Sequence, residues 1–140
     1  LGDVYKRQDM TRSFATKGFS EEQKSIYDIV LNAQVKSIDG IKAGISCRSI
    51  DNIARSYIEQ AGYGKFFDHG LGHSLGLEIH EDPRFSKVSK DILKENYVMT
   101  VEPGIYVKDI GGVRIEDDII VTNDGAEILN QTSKEFQVIS

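Results

Sequence analysis

The stretch Asp68-His69-Gly70-Leu71-Gly72-His73-Ser74-Leu75-Gly76-Leu77-Glu78-Ile79-His80-Glu81 decides how the chain is read. It marks the switch from helical spacing to strand-like spacing, and it holds all three histidines of the chain. Gly70, Gly72 and Gly76 disfavour a helix interior, so the segment reads as extended or looped. In an extended chain His69 and His73 point to the same side, and His80 has the opposite parity. His80 joins them only through a bend or bulge, which Gly76 is placed to supply. Histidine binds metals and moves protons near neutral pH. A lone histidine in a glycine-rich loop is incidental. Three within twelve residues point to chemistry.

Before this stretch the spacing is helical. Ser20-Glu21-Glu22-Gln23 reads as a capping box. Ile26, Ile29, Val30, Ala33 and Ile38 follow at helical intervals, which predicts a helix over about 20–39 that stops at Gly40. Ser46 is a candidate cap for a second helix bearing Ile50, Ile53, Ala54, Tyr57, Ile58 and Ala61, with Gly62 at the left-handed end position.

After the stretch the pattern is β. Val98, Thr100 and Val101 run into the turn signal Glu102-Pro103-Gly104, then Ile105, Tyr106 and Val107. Gly111-Gly112 reads as the next break. Val113–Val121 is dense in β-branched residues, and Asn123-Asp124-Gly125 reads as a hairpin turn. Two helices followed by short strands predict an α+β fold, with helices covering one face of a largely antiparallel sheet.

With 140 residues the chain fits one domain. A net charge of −5 with mixed signs argues against a nucleic-acid partner. Its apolar runs are too short for a membrane span, and its first residues lack a signal-peptide core. Cys47 is the only cysteine, so no internal disulfide forms. These features predict a cytoplasmic globular protein.

Carboxylates stand at unusual places. Glu102 precedes Pro-Gly at a strand end. In Val113-Arg114-Ile115-Glu116-Asp117-Asp118, read as one strand, Arg114, Glu116 and Asp118 share a face. That face is either the solvent side of an open sheet or the wall of a charged site. Carboxylates joined by an imidazole suit Mn²⁺, with Co²⁺, Fe²⁺ or Zn²⁺ also acceptable.

Four motifs in order carry a resemblance: Asp9-Met10-Thr11-Arg12, His69 to Pro83, Thr100-Val101-Glu102-Pro103-Gly104-Ile105-Tyr106, and Gly112 to Asp118. Residues 9–140 resemble the C-terminal part of the catalytic domain of the M24 metallopeptidases, the pita-bread enzymes, in their Xaa-Pro aminopeptidase and Xaa-Pro dipeptidase branch. The resemblance implies a curved, mostly antiparallel sheet and hydrolysis of the bond between an N-terminal residue and proline. It implies two divalent ions, with Asp9, His73, Glu102 and Glu116 as ligands. Asp9 and Glu116 would bridge the ions, and His73 and Glu102 would serve one of them. His69 would stabilise the tetrahedral oxyanion and His80 would position the substrate. Arg114 would brace the site and the proline end, and Glu102 would accept the proton of the attacking water. Glu78 matches no ligand of the family. A homodimer is the family's common form. A non-catalytic binding module and a creatinase-like hydrolase are alternatives on the same fold.

The chain departs from the family pattern at its start. A fifth ligand, an Asp about eleven positions before Asp9, falls ahead of Leu1, and residues 1–8 read as a non-native scar. The expected fold is therefore truncated, with one competent metal site at most and little or no activity in the chain alone. Calorimetric titration with Mn²⁺ or Co²⁺ checks this. At most one tight equivalent per chain is expected, and two tight equivalents would overturn it.

Overall fold

The computed structural model describes residues 9–139; residues 1–8, with the scar read there, and Ser140 lie outside the described residues. Helix α1 spans Glu21–Asp39. Its capping box forms as read: Gln23 N–H donates to Ser20 Oγ at 3.2 Å, and Ser20 N–H to Gln23 Oε1 at 2.7 Å. Its inner face buries Ile26, Tyr27, Val30, Ala33 and Ile38. Helix α2 spans Cys47–Gln60 behind the Ser46 cap and buries Ile50, Ala54 and Ile58. Gly62 follows it in the left-handed region, at φ +89°.

Among the described residues nine short strands follow the expected α+β plan: β1 Ala15–Thr16, β2 Gly72–Ser74, β3 Glu81–Phe85, β4 Val98–Val101, β5 Gly104–Val107, β6 Gly111–Arg114, β7 Asp117–Val121, β8 Ala126–Ile128 and β9 Val138–Ile139. The main sheet has the order β3-β2-β4-β7-β8 and is antiparallel throughout. β5 and β6 form a separate antiparallel hairpin, and β1 pairs with β9 in parallel. The two helices pack on each other, α1 against β4, β5 and β6, and α2 against β3. Phe67, Leu71, Phe85, Met99, Val101, Ile105 and Ile119 fill the space between helices and sheet. Edge strand β8 leaves Ile128 exposed, with Leu129 and Met10 exposed nearby. Among the described residues no helix is long and apolar enough to cross a membrane.

Two strand readings need correction. Val113–Val121 is not one strand. It ends its pairing with β5 at Arg114 and begins pairing with β4 at Asp117. At the junction Ile115 is buried, and Glu116 N–H bonds the Thr11 carbonyl at 3.0 Å. The glycines 111 and 112 do not break a hairpin either. They lie within β6, and the turn is made by residues 108–110, with Asp109 at φ +66°. Gly112 is needed for closeness, because a Cβ there would lie 2.9 Å from the Tyr106 ring.

The N-terminal segment is tied to β7 by a buried ionic cluster. Asp117 is fully buried and takes Arg12 Nη2 at 2.6 Å, Lys134 Nζ at 2.8 Å and Gln34 Nε2 at 3.2 Å. Arg12 also donates to the carbonyls of Thr11, Glu116, Thr132 and Ser133. Removing the shared negative charge leaves two cations without their counter-ion, of which the Arg12 side chain is 4% exposed. Asp117→Asn is expected to cost about 3–5 kcal/mol, read from the urea unfolding midpoint.

Candidate metal centre

Four segments far apart in sequence deliver the charged residues to one place. β2 carries His73, the β4–β5 junction carries Glu102, the β6–β7 junction carries Glu116, and Asp9 lies against β7. His73 is the hub. Its Nε2 lies 3.3 Å from Glu102 Oε1 and 3.7 Å from Asp9 Oδ2. Donor atoms of His73, Glu102 and Glu116 all lie within 4.8 Å of one another, as do those of Asp9, His73 and His80. His73 Nδ1 contacts the Ser74 carbonyl at 3.1 Å. A carbonyl only accepts, so Nδ1 carries a proton; Nε2 faces the carboxylates, donating to Glu102 in the doubly protonated ring and offering its lone pair to a cation once that proton is gone.

Neighbouring hydroxyls hold these groups. Thr100 Oγ1 accepts His73 N–H and donates to Glu102 Oε1, both at 3.0 Å. Thr11 Oγ1 donates to Glu116 Oε2 and accepts from Arg114 Nε at 3.1 Å. Both threonines sit inside the motifs read from sequence, but their hydroxyls were given no role there. Thr100 had a signal, since it precedes Glu102 by two residues in a strand-like run and so shares its face.

Of the two meanings left open for the Arg114, Glu116 and Asp118 face, the structure gives the charged wall. Glu116 is 2% exposed and Asp118 3%. Asp118 Oδ2 accepts Asp9 N–H at 3.1 Å, while its buried Oδ1 has no hydrogen-bond partner among the described residues. Burial pushes the Glu116 carboxyl up to about 7, against the Thr11 hydrogen bond and with help from the charges of Glu102 and Asp9. Burial likewise pushes Asp118 up to about 6. Burial also acts to raise Glu102, but hydrogen bonds from His73 and Thr100 outweigh it and hold the carboxylate below its ordinary range. His73 answers in the opposite direction. Burial disfavours its charge, but Glu102, the Ser74 carbonyl and Asp9 raise its pKa. Crowded buried acids, an imidazole nitrogen aimed among them and an orphaned carboxyl oxygen fit a hard-to-borderline divalent cation.

The three histidines take different places. His69, His73, Glu102 and Arg114 line one open cleft with Arg84, which sequence reading did not single out. His69 Nε2 lies 3.1 Å from the Tyr106 hydroxyl, which also meets Arg114 Nη1 at 3.5 Å. His80 reaches His73 despite its parity, with ring centroids 4.5 Å apart. The chain turns at Gly76, whose N–H bonds the Glu78 carbonyl at 3.0 Å, and the β2–β3 register shifts after His73. Glu78 is exposed in that turn, outside both donor groups.

Glu116 and Asp118 bind protons more tightly folded than unfolded, so the metal-free fold loses stability as pH rises through about 4 to 7. Thermal unfolding in chelator should therefore give a higher midpoint at pH 5 than at pH 7.5. A midpoint that rises over that interval would contradict the burial of these acids.

Residues 4–123 match the model of metallopeptidase family M24. An Xaa-Pro dipeptidase of Pyrococcus horikoshii is 47% identical over 138 residues, covering 97% of this chain and 39% of the relative. The solved Xaa-Pro dipeptidase from Bacillus anthracis superposes with a TM-score of 0.92 at 48% identity, over 94% of this chain and 37% of that one. The X-Pro aminopeptidase structure from Thermotoga maritima gives 0.90 at 42% identity, with the same coverage of 94% and 37%. The chain thus spans about two fifths of the length of the curated relatives it matches, and the part it spans has the pita-bread architecture. The chain belongs to metallopeptidase family M24.

Proposed function

We propose that the protein of full family length to which this segment corresponds hydrolyses the bond between an N-terminal residue and a following proline, using divalent metal. The observation that carries this reading is the convergence of His73, Glu102 and Glu116 donor atoms beside an open cleft walled by His69, Arg84 and Arg114. Family membership and the Xaa-Pro names of the relatives support it.

Asp9, His73, Glu102 and Glu116 would hold the metal, with Mn²⁺ the best match to three carboxylates and one imidazole. When bound, a divalent ion acidifies water and polarises a carbonyl. The rest of the work falls to this chain's side chains. Thr100 and His73 engage Glu102 through Oε1, which leaves Oε2 to take the proton of the attacking water and pass it to the leaving proline nitrogen. His69 turns Nε2 toward the cleft, where the doubly protonated ring would donate to the oxyanion, and His80 orients the substrate above His73. Arg114 braces Glu116 at 3.9 Å and reaches Tyr106 at the proline end. Arg84 is exposed at the cleft wall, paired only loosely with Asp82 at 3.4 Å, and suits a free carboxylate of a dipeptide. A dipeptide with proline second is therefore the preferred substrate. A homodimer in the cytoplasm completes the reading.

The full-length protein should release the N-terminal residue from Xaa-Pro dipeptides only with added divalent metal. His73→Ala should lower kcat/KM by on the order of a hundredfold or more. Activity unchanged by that substitution, or by chelator, would refute the assignment.

A further inference from the structure

The loop that carries His69 is gripped from behind by a charge pair on α2. Arg55 and Asp51 form a forked ion pair, with Nε to Oδ2 at 2.9 Å and Nη2 to Oδ1 at 3.0 Å. Spaced i, i+4, such a pair is ordinarily a solvated helix decoration worth little. This one is not solvated: the Asp51 side chain is 1% exposed and that of Arg55 12%. Nor does it stay within its helix. Arg55 donates Nη1 to the Phe67 carbonyl at 3.0 Å and Nη2 to the His69 carbonyl at 2.8 Å. Asp51 Oδ1 accepts Leu71 N–H at 3.1 Å, sharing that donor with the Phe85 carbonyl of β3 at 2.9 Å. The guanidinium also lies over the Phe67 ring, 4.3 Å from its centroid, and that ring stands edge-to-face to His69 at 5.0 Å.

The two bonds that hold Leu71 N–H, from Asp51 and from the Phe85 carbonyl, bear on the His69 imidazole. A trans peptide is planar, so fixing the Leu71 N–H fixes the direction of the Gly70 carbonyl on the opposite side of the same plane. That carbonyl lies 2.7 Å from His69 Nδ1. It can only accept, so it keeps a proton on Nδ1 and turns Nε2 toward Tyr106 and the cleft, an acceptor in the neutral ring and a donor in the doubly protonated one. The same loop continues to the metal site: the Leu71 carbonyl accepts Glu102 N–H at 2.8 Å.

We propose that Asp51 and Arg55 are positioning residues that set the tautomer and orientation of His69, Arg55 through the His69 carbonyl and Asp51, together with the Phe85 carbonyl, through the Gly70–Leu71 peptide plane. What His69 then does rests on the peptidase reading; the tautomer itself does not. The fork is essential, because a lysine at 55 keeps the charge but presents no rigid planar donor set to two carbonyls and a carboxylate at once. Function then follows from geometry: a ring tilted away from its productive pose loses rate without losing substrate affinity.

The test reads the His69 ring directly. Long-range ¹H–¹⁵N spectra of this chain would be compared for the wild type, Arg55→Lys, and the double variant Asp51→Leu with Arg55→Met, which leaves no orphaned buried charge. The three histidine signals are assigned by single His→Gln changes. His69 is expected as a single Nδ1–H tautomer in the wild type and as a tautomer mixture in both variants, with His73 unchanged. A parallel arm uses the full-length protein with Mn²⁺ and an Xaa-Pro dipeptide. There Arg55→Lys should lower kcat by on the order of tenfold or more, with KM changed less than about twofold and the metal titre unchanged. Folded variants that keep one Nδ1–H tautomer overturn the proposal, as does Arg55→Lys with wild-type kcat. If the wild type cleaves no Xaa-Pro substrate, the peptidase reading fails by itself and the spectra still decide the brace.

Discussion

Burying several carboxylates in one wall is the constraint the rest of the fold answers to. Glu116, Asp117 and Asp118 are consecutive and all but inaccessible to solvent. Unpaired buried charges are costly, so each must be neutralised by a proton, a cation or hydrogen bonds. β7 divides the problem by parity. Asp117 faces the helices and meets Arg12 and Lys134. Glu116 and Asp118 face the other way, toward Asp9 and Glu102, where acids crowd acids. One side is neutralised internally. The other is left wanting positive charge, which is the electrostatic definition of a cation site.

The internally neutralised side also builds the site. Arg12 bonds Asp117 and the Glu116 carbonyl, which clamps the segment bearing Asp9 and Thr11 against β7. Thr11 can then reach the Glu116 carboxyl, and Asp9 N–H can reach Asp118. Lys134 and the carbonyls of Thr132 and Ser133 close the clamp from the C-terminal side. The residues nearest the metal-binding acids are thus held by a network that contributes no donor atom to the centre. The specificity of a buried ionic cluster is used here to fix register between two distant chain segments.

Much of this was legible in the chain. The helix starts at Ser20 and Ser46 follow from local chemistry, because a cap is satisfied within three residues of itself. The shared face of Arg114, Glu116 and Asp118 survived even though the strand does not run through, since side chains keep alternating across the junction. What local pattern could not show was the break itself. Strand identity belongs to pairing partners, and the change of partner from β5 to β4 is a tertiary event. Gly111-Gly112 misled for a related reason: the pair reads as a turn, but the hairpin uses glycine to pass the Tyr106 ring. Arg84, Asp51 and Arg55 carried no signal, because a charged residue in a strand or an i, i+4 pair on a helix is ordinary until its neighbours are known.

His73 and His69 show how one residue type is given two tasks by its backbone. Each ring has Nδ1 against a main-chain carbonyl, Ser74 for His73 and Gly70 for His69, so each presents Nε2 outward. The difference lies in what Nε2 meets. For His73 it meets Glu102 and Asp9, acids that a proton on Nε2 or a cation bound there can satisfy. For His69 it meets a tyrosine hydroxyl at the cleft, where a nitrogen able to accept or donate is useful to a reacting substrate. Gly72 makes both possible at once. A Cβ there would lie 2.0 Å from the Thr100 carbonyl, so only glycine lets β2 press against β4. That contact seats His73 over Thr100 and Glu102, while the loop just before it delivers His69 to the cleft. The glycine spacing that first marked this stretch as irregular is what allows two histidines four residues apart to serve one site in different ways.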